Sequence, residues 1–239
     1  MAYMPMSGAP TVVLDAGVHF QTHLGFGGSF TESSAELLQR MSPGAQEKVM
    51  NAYFSESTGL GFRLGRFHMG SCDFSRGNWT CVRQAGDVEL ETFNIDRYEE
   101  AIIPMIRRAN EVAGTPMMLL ASPWSPPPWM KDTGTMMTGG KLLPEMRGPW
   151  AKHFARFAQE FRKQGLPLWG FTVQNEPQAS TPWENCLYSA EEERDFVRDH
   201  LGPALERSGE DVKLIVWDHN RDDMFIRAHT IYGDPAAAK

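Results

Sequence analysis

Short apolar runs alternate along this chain with longer stretches whose apolar residues recur every three to four positions, the marks of strands and amphipathic helices. Thr11-Val12-Val13-Leu14 is a brief β-like run, and Gly25-Phe26-Gly27-Gly28-Ser29-Phe30 is a glycine-rich strand and turn. Ser33 to Phe54 reads as helix with a break at Pro43, where Ser42 suits an N-cap and Pro43 the first turn. Leu60 to Phe67 alternates as a second strand. Asp96 to Ala113 reads as helix through Ile102, Ile103, Ile106 and Val112. Met117-Met118-Leu119-Leu120-Ala121 is apolar throughout, as a strand covered on both faces should be. Ser122 to Gly140 reads as loop, and Trp150 to Lys163 as a helix with Phe154, Phe157 and Phe161 on one face. Leu168 to Val173 is the fourth strand of the main pattern. Glu191 to Arg207 is a helix opened by Ser189 with Glu192 three residues on. Lys213 to Trp217 is a fifth strand and Asp222 to Tyr232 a further helix.

Five strand–helix units in succession predict a parallel sheet with helices outside it. Asp73, Trp124, Glu176 and Asp218 follow four consecutive strands. A doubly wound sheet gathers its polar residues at one switch point. A (β/α)8 TIM barrel spreads them over the C-terminal ends of its strands, which is the pattern here. Five strands do not close a barrel, so the α/β fold is expected to be the first five βα units of a longer protein. Residues 1–22 form an N-terminal segment, with Thr11 to Leu14 as a candidate strand of a side domain. Residues 23–239 form the partial barrel.

Composition narrows the function classes. The formal net charge is −7, against the basic patch that nucleic acid needs. No apolar run approaches the roughly 18 residues of a membrane span. No signal peptide is visible in Met1 to Pro10. The three cysteines, Cys72, Cys81 and Cys186, make neither a disulfide framework nor a zinc motif, although Cys72 and Cys81 are near enough in sequence to pair across a loop. Asn78-Trp79-Thr80 is a glycosylation sequon of the kind chance supplies. Several of the seven Trp stand beside Pro, Asn or Ser in loop-like segments, where a flat ring can stack on a sugar.

The chemistry centres on Val173-Gln174-Asn175-Glu176-Pro177. The fourth strand delivers Asn175 and Glu176 to the barrel face, and Pro177 ends the pairing because it lacks an N–H. A carboxyl there can protonate the leaving oxygen of a glycosidic bond. A neighbouring amide can bond the sugar 2-OH, a contact that strengthens as charge develops at the anomeric carbon.

With these residues the chain resembles glycoside hydrolase family 30, the glucosylceramidase-like group. The likeness runs from about Gly25 to the end. It is carried by Gly25 to Glu32, Tyr53-Phe54-Ser55, Ser71 to Ser75, Ala121 to Pro127, Asn175-Glu176-Pro177 and Glu192-Glu193-Arg194-Asp195-Phe196. Trp217-Asp218-His219-Asn220-Arg221 is more similar to the bacterial and fungal β-glucosidase and β-1,6-glucanase members than to the animal enzymes. The resemblance implies a retaining hydrolase of β-linked sugars that needs no metal or cofactor, with a β-glucoside or glucan as partner. It implies Glu176 as acid/base, Asn175 as the 2-OH partner, and Asp73 and Trp124 as sugar-binding residues. Arg66 resembles a charge near the catalytic carboxylates, with a structural ion pair as the other reading. Asp218 and His219 are placed to touch substrate or to bond at the rim. The role of His68 is open.

A retaining enzyme needs a second carboxylate, the nucleophile, about 5–5.5 Å from the first. In the family that Glu ends the seventh strand, so it is expected to be absent from this chain. Glu32 and Asp73 match other family positions. The chain alone is expected to be inactive, and a non-catalytic sugar-binding remnant stays open beside the enzyme. So do glucosylceramide, β-1,6-glucan and xylan as substrates. The resemblance suggests a secreted or periplasmic protein.

Overall fold

A computed structural model describes residues 10–239. Its sheet has five strands, β1 (Gly27–Ser29), β2 (Leu64–Met69), β3 (Met118–Pro123), β4 (Leu168–Thr172) and β5 (Lys213–Ile215). Spatial order equals chain order, and every neighbouring pair is parallel. A doubly wound sheet reverses direction at its switch point, and this one does not. It is the first five strands of a (β/α)8 barrel, as expected, with β1 and β5 as open edges.

The helices are α1 (Glu32–Arg40), α2 (Pro43–Phe54), α3 (Asp96–Glu100), α4 (Ile102–Ala113), α5 (Arg147–Lys163), α6 (Ala190–Phe196), α7 (Gly202–Ser208) and α8 (Met224–Tyr232). The break before Pro43 and the Ser189/Glu192 capping box are both present. On α5, Phe154, Phe157 and Phe161 are fully buried against the sheet. Phe161 lies 4.9 Å from Phe67 of β2 and Phe154 lies 5.1 Å from Phe171 of β4, centroid to centroid. These aromatic contacts fix the helix layer to the strands that carry Arg66 and Asn175.

Several expectations are corrected. Asp96 to Ala113 is two helices, because Pro104 has no N–H to offer the Glu100 carbonyl and its ring would crowd it. The chain restarts at Ile102, which puts Pro104 in a first turn, and the Glu100 carbonyl accepts from Gln39 Nε2 at 2.7 Å instead. Glu191 to Arg207 contains a π-helical turn, Val197–Leu201, ahead of Pro203, where the Gly202 N–H reaches back to the Val197 carbonyl. The second strand begins at Leu64, since Leu60 and Phe62 donate to carbonyls of Ala52 and Tyr53 at the end of α2. Thr11 to Leu14 is not a strand: Val12, Val13 and Leu14 are exposed and no strand among the described residues pairs with them. Cys72, Cys81 and Cys186 are free and buried, so the Cys72–Cys81 pairing does not form. Burial pushes all three thiols up to about 12. No helix among the described residues is long and apolar enough to cross a membrane.

Candidate active site

The chain beyond β4 is held from both sides. Asn175 N–H donates to the Pro123 carbonyl on β3 at 2.8 Å, and Glu176 N–H donates to the Asp218 carbonyl beyond β5 at 2.9 Å. Glu176 has φ 44°, in the left-handed region, a conformation that costs a non-glycine residue about 1–2 kcal/mol. The turn persists because its neighbours bond it: Ala179 N–H donates to the Glu176 carbonyl and Tyr188 N–H to the Pro177 carbonyl, both at 2.9 Å. The Glu176 side chain is half-buried and has no hydrogen-bond partner among the described residues.

Arg66 gathers the ends of four strands. Its Nη2 donates to Asn175 Oδ1 and to Asp218 Oδ2, each at 2.7 Å, and its guanidinium sits 4.7 Å over the Trp124 ring. Ser122 Oγ, at the end of β3, donates to the same Asp218 oxygen at 3.3 Å. Because Arg66 occupies Asn175 Oδ1, the free end of that amide is its NH2, a donor for a sugar hydroxyl. The ion pair also offsets the Asp218 charge beside Glu176. Arg66 is ion-paired, and the pair lies among the residues of the candidate site.

Trp124 is nearly buried, and a cleft of roughly 470 Å³ opens beside it, lined also by Arg66, His68, Cys72 and Phe74. Asp73 stands exposed in the loop after β2. Its carboxyl is held above the usual value, chiefly by partial loss of solvent in the surrounding loop and further by the Glu184 charge, against hydrogen bonds from its own backbone and from Trp124.

Two residues of this face are structural. Glu32 is buried, and its Oε1 accepts from Arg97 at 2.6 Å while its Oε2 accepts from Trp79 Nε1 at 2.9 Å. Burial raises its carboxyl, but hydrogen bonds from Arg97, Trp79 and Ser75 together hold it below the ordinary value. A group so neutralised is a poor nucleophile. That ion pair contributes stability above the unfolded carboxyl's titration, lost as pH falls toward and below it. Glu32→Gln is expected to lower stability by about 1.5–3 kcal/mol at pH 7 and by less at pH 4, read from denaturant midpoints. His68, whose role the sequence leaves open, is fully buried. Its Nδ1 faces the Gly70 carbonyl at 2.5 Å and its Nε2 accepts from Glu32 N–H at 3.1 Å. Burial holds it neutral, and it satisfies an otherwise unpartnered N–H of α1.

His219 packs 5.1 Å from the Trp217 ring and takes no part in the Arg66 bonds. The structure thus brings Glu176, Asn175, Arg66, Trp124 and Asp218 together, puts Asp73 beside Trp124, and leaves His219 at the edge.

Residues 23–239 match the glycosyl hydrolase family 30 TIM-barrel domain. The chain belongs to glycosyl hydrolase family 30. It is 35% identical over 238 residues to "Putative glucosylceramidase 3" of Caenorhabditis elegans, covering 96% of this chain and 45% of that protein. The crystal structure of SrfJ from Salmonella typhimurium is 37% identical with a TM-score of 0.84, over 89% of this chain and 48% of that one. A solved endo-β-1,6-glucanase superposes with a TM-score of 0.86 at 29% identity, over 94% of this chain and 52% of that one. This family 30 chain therefore spans about half the length of the relatives it matches.

Four further polar residues of this candidate site have no role assigned from the sequence. Ser122 bonds Asp218, as above. Gln174, fully buried, donates from Nε2 to the Trp124 carbonyl at 2.7 Å and the Asn175 carbonyl at 2.9 Å. Glu184 is a buried carboxylate whose charge acts on Asp73 and His68. Glu193 lies fully buried beneath Trp217. Ser122 and Glu193 sit inside blocks that carry the family resemblance, which was their only mark in the sequence.

Proposed function

We propose that this chain is the acid/base half of a retaining β-glycoside hydrolase that acts on β-glucosides. The observation that carries the reading is Arg66 bound at once to Asn175 and Asp218, over Trp124, beside the Glu176 carboxyl, which no side chain among the described residues engages. A sugar ring set beside Trp124 finds donors and acceptors in the Asn175 amide and Asp73. Glu176 protonates the leaving oxygen while a second carboxylate attacks the anomeric carbon. Glu176 then deprotonates the water that releases the sugar. The nucleophile, which the family resemblance puts at the end of a seventh strand, is expected to come from sequence beyond the described residues. The complete protein is secreted or periplasmic on this reading, and residues 23–239 are the first part of its barrel.

Glucosylceramide is the substrate suggested by the name of the nematode relative. The fit to the solved endo-β-1,6-glucanase favours β-1,6-glucan as the second reading.

Incubating the complete protein with a 2-deoxy-2-fluoro β-glucoside bearing a good leaving group tests this. A covalent glycosyl adduct on a Glu outside residues 10–239 is expected in peptide mass spectra. Turnover of the parent glucoside with inverted product and no adduct would contradict it. Parallel assays on glucosylceramide, β-1,6-glucan and xylan then choose the substrate.

A further inference from the structure

We infer that Glu193, on α6, is a positioning residue for the acid/base: it fixes the left-handed turn at Trp217 from which Asp218 reaches both Glu176 and Arg66. The inference rests on the reading of Glu176 given above.

Glu193 is fully buried, one layer behind the site. Its Oε1 accepts from the Trp217 backbone N–H at 3.0 Å, and its Oε2 faces Arg227 Nη1 at 3.4 Å. Arg227, itself buried on α8, also donates to the Tyr188 carbonyl at 2.8 Å and lies 4.7 Å over the Trp217 ring. The indole N–H of Trp217 donates to the Asn220 carbonyl at 2.7 Å. Both ends of Trp217 are therefore tied.

Those ties have strain to hold. Trp217 has φ 56°, a conformation that a bulky residue keeps only when its surroundings impose it. The sequence predicts that the fifth strand runs through Trp217, but it stops at Ile215. The turn sends the Asp218 carbonyl to Glu176 N–H at 2.9 Å and its carboxylate to Arg66 at 2.7 Å. Glu176 is held in the same left-handed region, and its N–H has Asp218 as acceptor. Glu193, Trp217, Asp218 and Glu176 thus form one line of direct contacts. An acceptor at Glu193 is what keeps the first link, because no other group among those described takes the Trp217 N–H.

The charged and titratable groups facing Glu193 are Arg227 from α8, Asp218 from beyond β5 and Tyr188 from the segment before α6. Burial pushes the Glu193 carboxyl up to about 7, with a further push from Asp218, against the pull of the Trp217 N–H and Arg227. Burial keeps the Tyr188 phenol neutral. As pH rises through that point Glu193 becomes a charged acceptor, and its bond to Trp217 strengthens.

The test uses the complete protein, with Glu193→Ala and Glu193→Gln. Glu193→Ala is expected to lower kcat by about 10–100-fold with KM changed by less than about 3-fold, as for misplacement of a catalytic group. Glu193→Gln keeps an acceptor and is expected to recover most of that loss. In samples labelled with 15N-Trp and 15N-Glu, the backbone amides of Trp217 and Glu176 are expected to titrate together with a midpoint near 7, and the Trp217 amide is expected not to titrate there in Glu193→Gln. Unchanged kcat in a folded Glu193→Ala protein would overturn the inference. So would a Trp217 amide that titrates without Glu176, or a Trp217 titration that survives in Glu193→Gln. If Glu193→Ala does not fold, the amide titrations decide. If the wild-type protein hydrolyses no glycoside, the functional reading fails, whereas the joint movement of the two amides still tests the coupling.

Discussion

Glu176→Gln in the complete protein is expected to lower kcat/KM on alkyl β-glucosides by about 10²–10⁴-fold, the range for removal of a general acid. The fold should be untouched. The wild-type carboxylate makes no hydrogen bond among the described residues, and Gln matches its size. The backbone ties at Glu176, its N–H to Asp218 and its carbonyl to Ala179, do not involve the side chain. Steady-state kinetics with a thermal melt alongside would show the split: activity lost and midpoint kept. A variant that loses both would point to a structural role instead.

Arg66→Met should behave differently, with losses in both readouts. One nitrogen of Arg66 bridges Asn175 and Asp218, and its guanidinium covers Trp124. Its removal leaves the Asp218 carboxylate with only the Ser122 hydroxyl as donor among the described residues. The pair is about one-quarter exposed, at 27% and 26%, so water makes up part of what is lost. We expect about 2–3 kcal/mol less stability, and a kcat/KM lower by roughly 10²-fold because Asn175 and Asp218 both lose their anchor. Asp218→Asn in the Arg66→Met background should recover part of the stability, since it removes the unpaired charge. Denaturant midpoints across the four-member cycle measure that coupling. Strict additivity would mean that the two residues do not act as a pair.

The sequence made the barrel legible because its strongest signals are local and periodic. The fully apolar run at Met117 to Ala121 and the Phe154, Phe157, Phe161 face each answer to one physical constraint, burial. Its misreadings fall where a neighbour in space decides. The Pro104 break was written in the chain, but the acceptor role of the Glu100 carbonyl depends on Gln39, which is distant in sequence. The fifth strand reads on to Trp217 by its apolar pattern, and it stops early because a glutamate on a following helix holds Trp217 in a turn. Val12 to Leu14 has the residues of a strand, but no strand among those described pairs with it. At the site, Glu176 and Asn175 were legible from one tripeptide at the end of a strand. The Arg66 bridge was not, because it joins residues 109 and 152 positions apart.

If Glu176 supplies the proton to the leaving group, its loss should matter only where the leaving group needs that proton. A dinitrophenolate departs without protonation, whereas an alkoxide needs it. Wild type and Glu176→Gln would be compared in kcat/KM, which reports the glycosylation step, on 2,4-dinitrophenyl and methyl β-glucosides. The loss is expected to be less than about 10-fold on the first and at least about 10²-fold on the second. Equal losses on the two substrates would contradict it.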